Sequence, residues 1–330
     1  MRPAGVVRRS PLPPRRAAAG HPRRAGPAGR AGRGPAPVPV LDAPGRMERV
    51  QRDVWREAAG TLLRAVFGWL GEELDALFGG APTDAPAGAR LAEDEPTLAE
   101  DFVRVRASLG LQATRLWVVD GDRPPGIWRV HPVEIIAGRA WLSGPPRERI
   151  FRLARTLELG RGPAILAAYA PEDEARALFG AAIVLALGED GMSFAREVGA
   201  QPALVSGWVE FLGSRLDQGR RDALERFVGA VVATGPASFH VWAGAVRQAA
   251  CRVGHVLSGD LAAALAALRD EAPGGLRAPR RDGQEDLRAL FDRAPLIAEL
   301  HGYVFGEELL ALRRLLARGE SRPPMMGRLR

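Results

Sequence analysis

The feature that most constrains this chain is where its β-forming residues sit. β-Branched and aromatic side chains crowd into one stretch: "RLWVVDGD" (115–122), "GIWRVHP" (126–132) and "VEIIAGRAWLSG" (133–144), broken by Asp-Gly and Pro-Pro. The stretch predicts two to four short antiparallel strands. From Pro145 onward the spacing of apolar residues is helical, at 146–160, 171–188, 202–216, 219–233, 239–257, 260–269 and 305–318. Less regular pieces lie at 285–302, and short Gly or Pro breaks separate the segments. One small sheet followed by many helices predicts an α+β, mostly α fold, with a small antiparallel sheet at about 115–142 packed on a helical core. No 33–34-residue repeat recurs, so the chain is not itself a solenoid.

Upstream of the strands, Val50, Val54, Ala58, Leu62, Val66, Trp69, Leu70, Leu74 and Leu77 recur every three or four residues. They predict one long amphipathic helix over 47–80, stopped by Gly79-Gly80. A Pro/Gly/Ala linker follows at 81–94, then a helix from about Glu95 to Leu109 with Gly110 as its stop. The domain proper is expected over 95–320, with a disordered end at 321–330. Residues 1–46 are rich in Arg, Pro, Gly and Ala and nearly devoid of large apolar side chains. Such a segment buries too little surface to offset its ordering entropy, which predicts a disordered tail.

The formal charge of +7 divides unevenly. Residues 1–41 hold nine Arg and no acid, whereas residues 42–330 hold 37 Arg against 39 acids, a net of −2. The basic character therefore belongs to the tail, and the body has no global field for nucleic acid. Three readings of the tail compete: an inert segment from a start codon assigned too far upstream, weak nucleic-acid contact through phosphates by residues 1–41, and targeting. It lacks the apolar core of a secretory signal. The single cysteine, Cys251, excludes an intramolecular disulfide and a cysteine-based zinc finger, and fits a cytoplasmic location. The longest apolar run, "ALFGAAIVLAL" at 177–187, falls well short of the ~20 residues of a membrane span and reads as a buried helix.

Motifs that carry chemistry are scarce. A zinc helix needs two His four residues apart with a Glu between them. None of His21, His131, His240, His255 and His301 forms such a pair. His240 and His255 share a helical segment, but their spacing is roughly 22 Å of rise. "LVSGW" (204–208) and "VLSGD" (256–260) are not nucleophile elbows. No phosphate-binding Gly-rich loop is present. Cys251 lies mid-helix among Ala and Val, as a small buried hydrophobe does. Asp120 and Asp122 are either a carboxylate pair for acid/base or metal work, or ordinary Asp-Gly turn chemistry.

Two helical stretches, "IFRLARTLELGRG" (150–162) and "AVRQAACRVGHVLSGDLAAALAAL" (245–268), follow the strands in that order. Together they resemble the core of zinc metallopeptidases of the HtpX and CAAX-prenyl-endopeptidase type. That family's first helix reads Leu-Ala-His-Glu-Leu-x-His, and a later one Glu-x-x-Ala-Asp-Arg-x-Gly, whose Glu is the third zinc ligand. Leu153, Ala154, Ala250, Arg252 and Gly254 match. The first His falls on Arg155, the catalytic Glu on Thr156, the second His on Leu159, the family's Asp on Cys251 and its zinc-binding Glu on Arg247. "RVGHVLSGDLAAALAAL" and the ending "YVFGEELLALRRLLA" (303–317) resemble a metal-less version of this domain found at the C-terminus of myxobacterial tetratricopeptide-repeat proteins.

The resemblance implies a degenerate metal site at Arg155, Thr156, Leu159, Arg247 and Cys251, with no metal or cofactor and no catalysis. It implies a protein-interaction or scaffolding role with a protein partner. The competing readings are a hydrolase with relocated ligands and a nucleic-acid-associated protein acting through its tail. The resemblance also sets a geometric expectation. Arg155, Leu159 and Arg247 should lie on facing helices, with an acid compensating the buried guanidiniums or one Arg turned to solvent. Glu158 is the nearest acid in sequence. The alternative puts Arg155 on the polar face of an amphipathic helix, with Ile150, Leu153 and Leu157 inward.

Overall fold

The structure is a computed structural model that describes residue 41, residues 46–51, residue 54, and residues 57–78, 85–271 and 294–320. The rest of the predicted tail, residues 81–84 of the linker, the irregular pieces before residue 294 and the end at 321–330 lie outside the described residues. The strands are β1 (Arg90–Leu91), β2 (Arg115–Val119), β3 (Gly126–Arg129) and β4 (Glu134–Gly138). The helices before and among them are α1 (Arg46–Val50), α2 (Ala58–Leu70), α3 (Ala99–Ser108) and α4 (Arg139–Leu142). Then come α5 (Pro146–Leu159), α6 (Ala164–Ala168), α7 (Glu172–Leu187), α8 (Glu189–Glu197) and α9 (Pro202–Arg215). The last are α10 (Gln218–Thr234), α11 (Ser238–Ser258), α12 (Leu261–Glu271), α13 (Pro295–Phe305) and α14 (Glu307–Glu320). The class is α+β, mostly α. None of the described helices is long and apolar enough to cross a membrane.

The sheet differs from the antiparallel expectation. Its order is β1-β2-β4-β3, and β2 runs parallel to β4, with Arg115 opposite Glu134 and Val119 opposite Gly138. Only the β1/β2 and β3/β4 pairs are antiparallel. The Asp-Gly-Asp-Arg-Pro-Pro connection is the cause, because it does not close a hairpin. Its carbonyls instead cap the end of β4: Gly138 N donates to Arg123 O at 2.7 Å and Ala140 N donates to Gly121 O at 2.8 Å. The chain is thus carried past the place β4 will take, and β3 lands on the far edge. β4 is buried at every position, as a central strand with a parallel neighbour should be, whereas β2 alternates. β4 stops at Gly138, and 139–142 form α4, so the third β segment is half the predicted length.

The predicted helix over 47–80 is three pieces: α1, α2 and a 3-10 segment at Gly71–Phe78. Val50, Val54, Leu62, Val66, Leu70 and Leu74 are all buried, so the apolar face survives the breaks. A Cβ on Gly60 would collide with the Val54 carbonyl and lie 2.7 Å from Trp242 Cδ1. The segment read as tail also reaches the core, since Leu41 is fully buried and its N–H donates to Ser108 O at 2.8 Å. Within the region read as linker, Arg90 and Leu91 pair with β2.

Helix α5 is the hub. Pro146 supplies its first turn and Gly160 ends it. It packs on α3, α12 and, most extensively, α11. A Cβ on Gly254 would sit 2.8 Å from Phe151 Cδ2 and 3.0 Å from Phe151 O, so the absent side chain lets the two helices cross closely. Helix α11 closes with Gly259 in the left-handed conformation, its N–H donating to His255 O at 2.8 Å. Asp260 then caps α12 by accepting from Ala263 N at 3.1 Å. Helix α7 packs on α8 and α9, with Ala177–Ile183 buried.

Candidate functional site

The α5–α11 crossing brings together part of the set that the peptidase pattern singles out. Arg155 reaches from α5 toward α11, where its guanidinium lies near enough to the Cys251 thiol to interact with it electrostatically, and it forms an ion pair with Glu271 at the end of α12. Its side chain is only 12 % exposed, which rules out the solvent-facing alternative. Burial pulls the guanidinium toward its neutral form, but Cys251, Glu271 and Tyr169 more than offset this, so its pKa is raised. The Cys251 thiol is pushed up to about 11, chiefly by burial, against the opposing Arg155 charge. It is a fully buried, protonated thiol and no nucleophile. The Tyr169 phenol is raised by burial too.

The neighbouring positions divide. Thr156 is buried, its carbonyl accepts from Tyr169 Oη at 3.3 Å, and its Oγ1 has no partner among the described residues. Leu159 belongs to the hydrophobic core. Arg247, one turn before Cys251, is exposed and donates from Nη2 to Ala167 O of α6 at 3.1 Å. No acid bridges the two Arg residues among the described residues: Glu271 pairs with Arg155 alone, and Arg247 turns outward. The acid is not Glu158. That carboxylate is buried, accepts from Arg161 Nε at 2.9 Å and from Gln51 Nε2, and burial raises its pKa. Glu271 and Tyr169 were not anticipated. Glu271 lies 116 positions from Arg155, and no local spacing marks it.

Beside the crossing, α6, α11 and the start of α7 enclose a cavity of about 140 Å³. Leu166, Ala167, Phe239, Ala243 and Gly244 make its apolar lining, and His240, Arg247 and Glu172 are its polar members. The Glu172 carboxylate is exposed and ion-paired with Arg176.

The other candidate groups do not converge. Among the described residues no three His, Cys, Asp or Glu side chains are placed to hold a metal. Asp120 is exposed and pairs with Arg139 at 3.3 Å, as a turn residue would. His131 packs on Phe67, and His255 is buried with its pKa lowered, first by burial and then by Arg313. No protein-family model, no curated protein and no solved structure matches the chain.

Proposed function

We propose that this chain is a non-catalytic domain of peptidase-like build that serves in protein interaction or scaffolding. One observation carries the reading. Where the peptidase pattern would place a first ligand and its neighbour on the later helix, two crossing helices hold a guanidinium against a buried thiol, with Glu271 as counter-ion. A cation in that position opposes a divalent metal, and a buried thiol with a pKa of about 11 supplies no nucleophile. The hydrolase with relocated ligands has no group of three candidate ligands among the described residues to rest on. The single, buried, reduced cysteine fits a cytoplasmic setting.

The test is elemental analysis of the purified full chain, together with hydrolysis of casein and of a quenched fluorescent peptide library. The expected outcome is no stoichiometric zinc and no cleavage. One zinc per chain, removed by a chelator together with hydrolysis, would overturn the reading. A second reading rests on the nine Arg and no acid of residues 1–41, which suit weak, salt-sensitive contact with nucleic-acid phosphates.

A further inference from the structure

The corner between α13 and α14 leaves large apolar side chains in solvent. Phe305, the last residue of α13, is 72 % exposed, and Leu310, in the first turn of α14, is 48 % exposed. Among the described residues no large apolar side chain is more exposed than Phe305. The His301 ring, one turn earlier, lies 4.7 Å from the Phe305 ring and braces it from the α13 side. The inward faces of the two helices are already filled, since Ile297, Leu300, Tyr303, Leu309 and Leu312 are buried. Basic charge follows the corner directly. Arg313 and Arg314 are exposed and lie three and four positions after Leu310, the spacing that puts them on its face of the helix. Residues 313–330 hold six Arg against one acid, Glu320, a net of +5. The acids nearest the corner, Glu307 and Glu308, stand in the first turn of α14, where the positive end of the helix dipole favours carboxylates.

We propose that this corner docks on an anionic lipid surface: Phe305 and Leu310 enter the headgroup region, and Arg313 and Arg314 meet lipid phosphates. The proposal goes beyond the interaction reading above and is independent of it. Shape and charge together select the partner. At a bend between two helices, a Phe this exposed projects from the molecule. A projecting apolar edge enters a soft surface without further fitting, whereas a protein partner must supply a pocket of matching shape. The charge is spread along the eighteen residues 313–330 instead of being placed at one point, which suits a surface of evenly spread negative charge. A nucleic acid would meet the Arg residues but gain little from Phe305 and Leu310, because phosphate contacts dominate its affinity. None of the described helices is long and apolar enough to cross a bilayer, so this contact is with one leaflet only.

The experiment is co-sedimentation of the full chain with vesicles of phosphatidylcholine, alone or with about one-third phosphatidylserine. The nine Arg of residues 1–41 are present in every arm, so variants are compared with the parent chain. The parent is expected to bind the anionic vesicles about tenfold or more tightly than the neutral ones, and to lose them as salt rises. The double variant Phe305→Ser, Leu310→Ser weakens binding to anionic vesicles about tenfold. Arg313→Gln with Arg314→Gln does so by about tenfold or more. Val103→Ser, which removes a side chain 46 % exposed on α3, leaves binding within about twofold. The substituted apolar side chains are all exposed, so the melting curves of these variants should overlay that of the parent. Equal binding to neutral and anionic vesicles overturns the proposal, as does a Phe305/Leu310 variant that binds like the parent. Absence of vesicle binding overturns it too. If the same variants instead lose binding to a fluorescein-labelled oligo(dT), the corner belongs to nucleic acid. Vesicle binding is measured without zinc or a peptide substrate, so its failure leaves the non-catalytic reading untouched.

Discussion

At the residue scale the decisive pair is Arg155 and Glu271. Their side chains are 12 % and 17 % exposed, so each charge depends on the other. Arg155→Met strands a nearly buried carboxylate, and Glu271→Leu strands a guanidinium beside Cys251. Each single change is expected to destabilise by about 2–3 kcal/mol, slightly less than for a fully buried pair because some solvent remains. The double variant removes both charges and should lose clearly less than the sum. Urea unfolding of the four proteins checks this, and strictly additive losses would mean that the pair is not coupled. Half of this arrangement was legible in the sequence. Arg155 and Cys251 fall on two helical stretches whose pattern already set them apart. Glu271 was not legible, because an acid at the end of a third helix becomes a partner only through tertiary packing. Glu158, the acid close in sequence, is engaged by Gln51 and by Arg161, three residues further along, instead.

Two glycines on α11 separate close packing from open space at the scale of elements. Gly254→Ala puts a methyl 2.8 Å from Phe151 Cδ2 and 3.0 Å from its carbonyl oxygen at the α5–α11 crossing, and should cost about 1–3 kcal/mol. Gly244→Ala meets nothing within 4 Å and should gain up to about 1 kcal/mol from helix propensity. Thermal melts should therefore move in opposite directions, and a shared direction would contradict the placement of the crossing. Periodicity marked the long helices well, because their apolar stripes face one core. It missed the break between α1 and α2, where "QRDVWRE" contains neither Gly nor Pro. What accompanies the break is the close approach of the Val54 carbonyl and Trp242 to Gly60, a contact that no local signal encodes. The parallel β2/β4 pair was hidden for a related reason: Asp-Gly is read as a hairpin, but its loop carbonyls bind the end of β4.

For the whole molecule, charge and fold part company near residue 41. Residues 1–40 supply all nine Arg of the acid-free segment and almost no large apolar side chain, whereas the remainder is slightly acidic. Composition placed the boundary at 46, but Leu41 is fully buried and its N–H is held by Ser108 O at 2.8 Å, so the core begins earlier than the change in composition. Two truncations distinguish these boundaries. Removing residues 1–40 should leave the melting temperature nearly unchanged, because it withdraws charge rather than apolar burial. Removing residues 1–46 also takes Leu41, whose burial contributes about 2–3 kcal/mol, and should lower it by roughly 4–8 °C. The same pair tests the nucleic-acid reading. If the intact chain binds duplex DNA with an affinity that falls steeply as salt rises, the shorter truncation should already abolish it, because the remaining net charge of −2 offers no attraction to phosphate. DNA binding that survives removal of residues 1–40 would place the contact on the folded body instead, and a melting temperature that drops with the first forty residues would give them a structural part that their composition does not suggest.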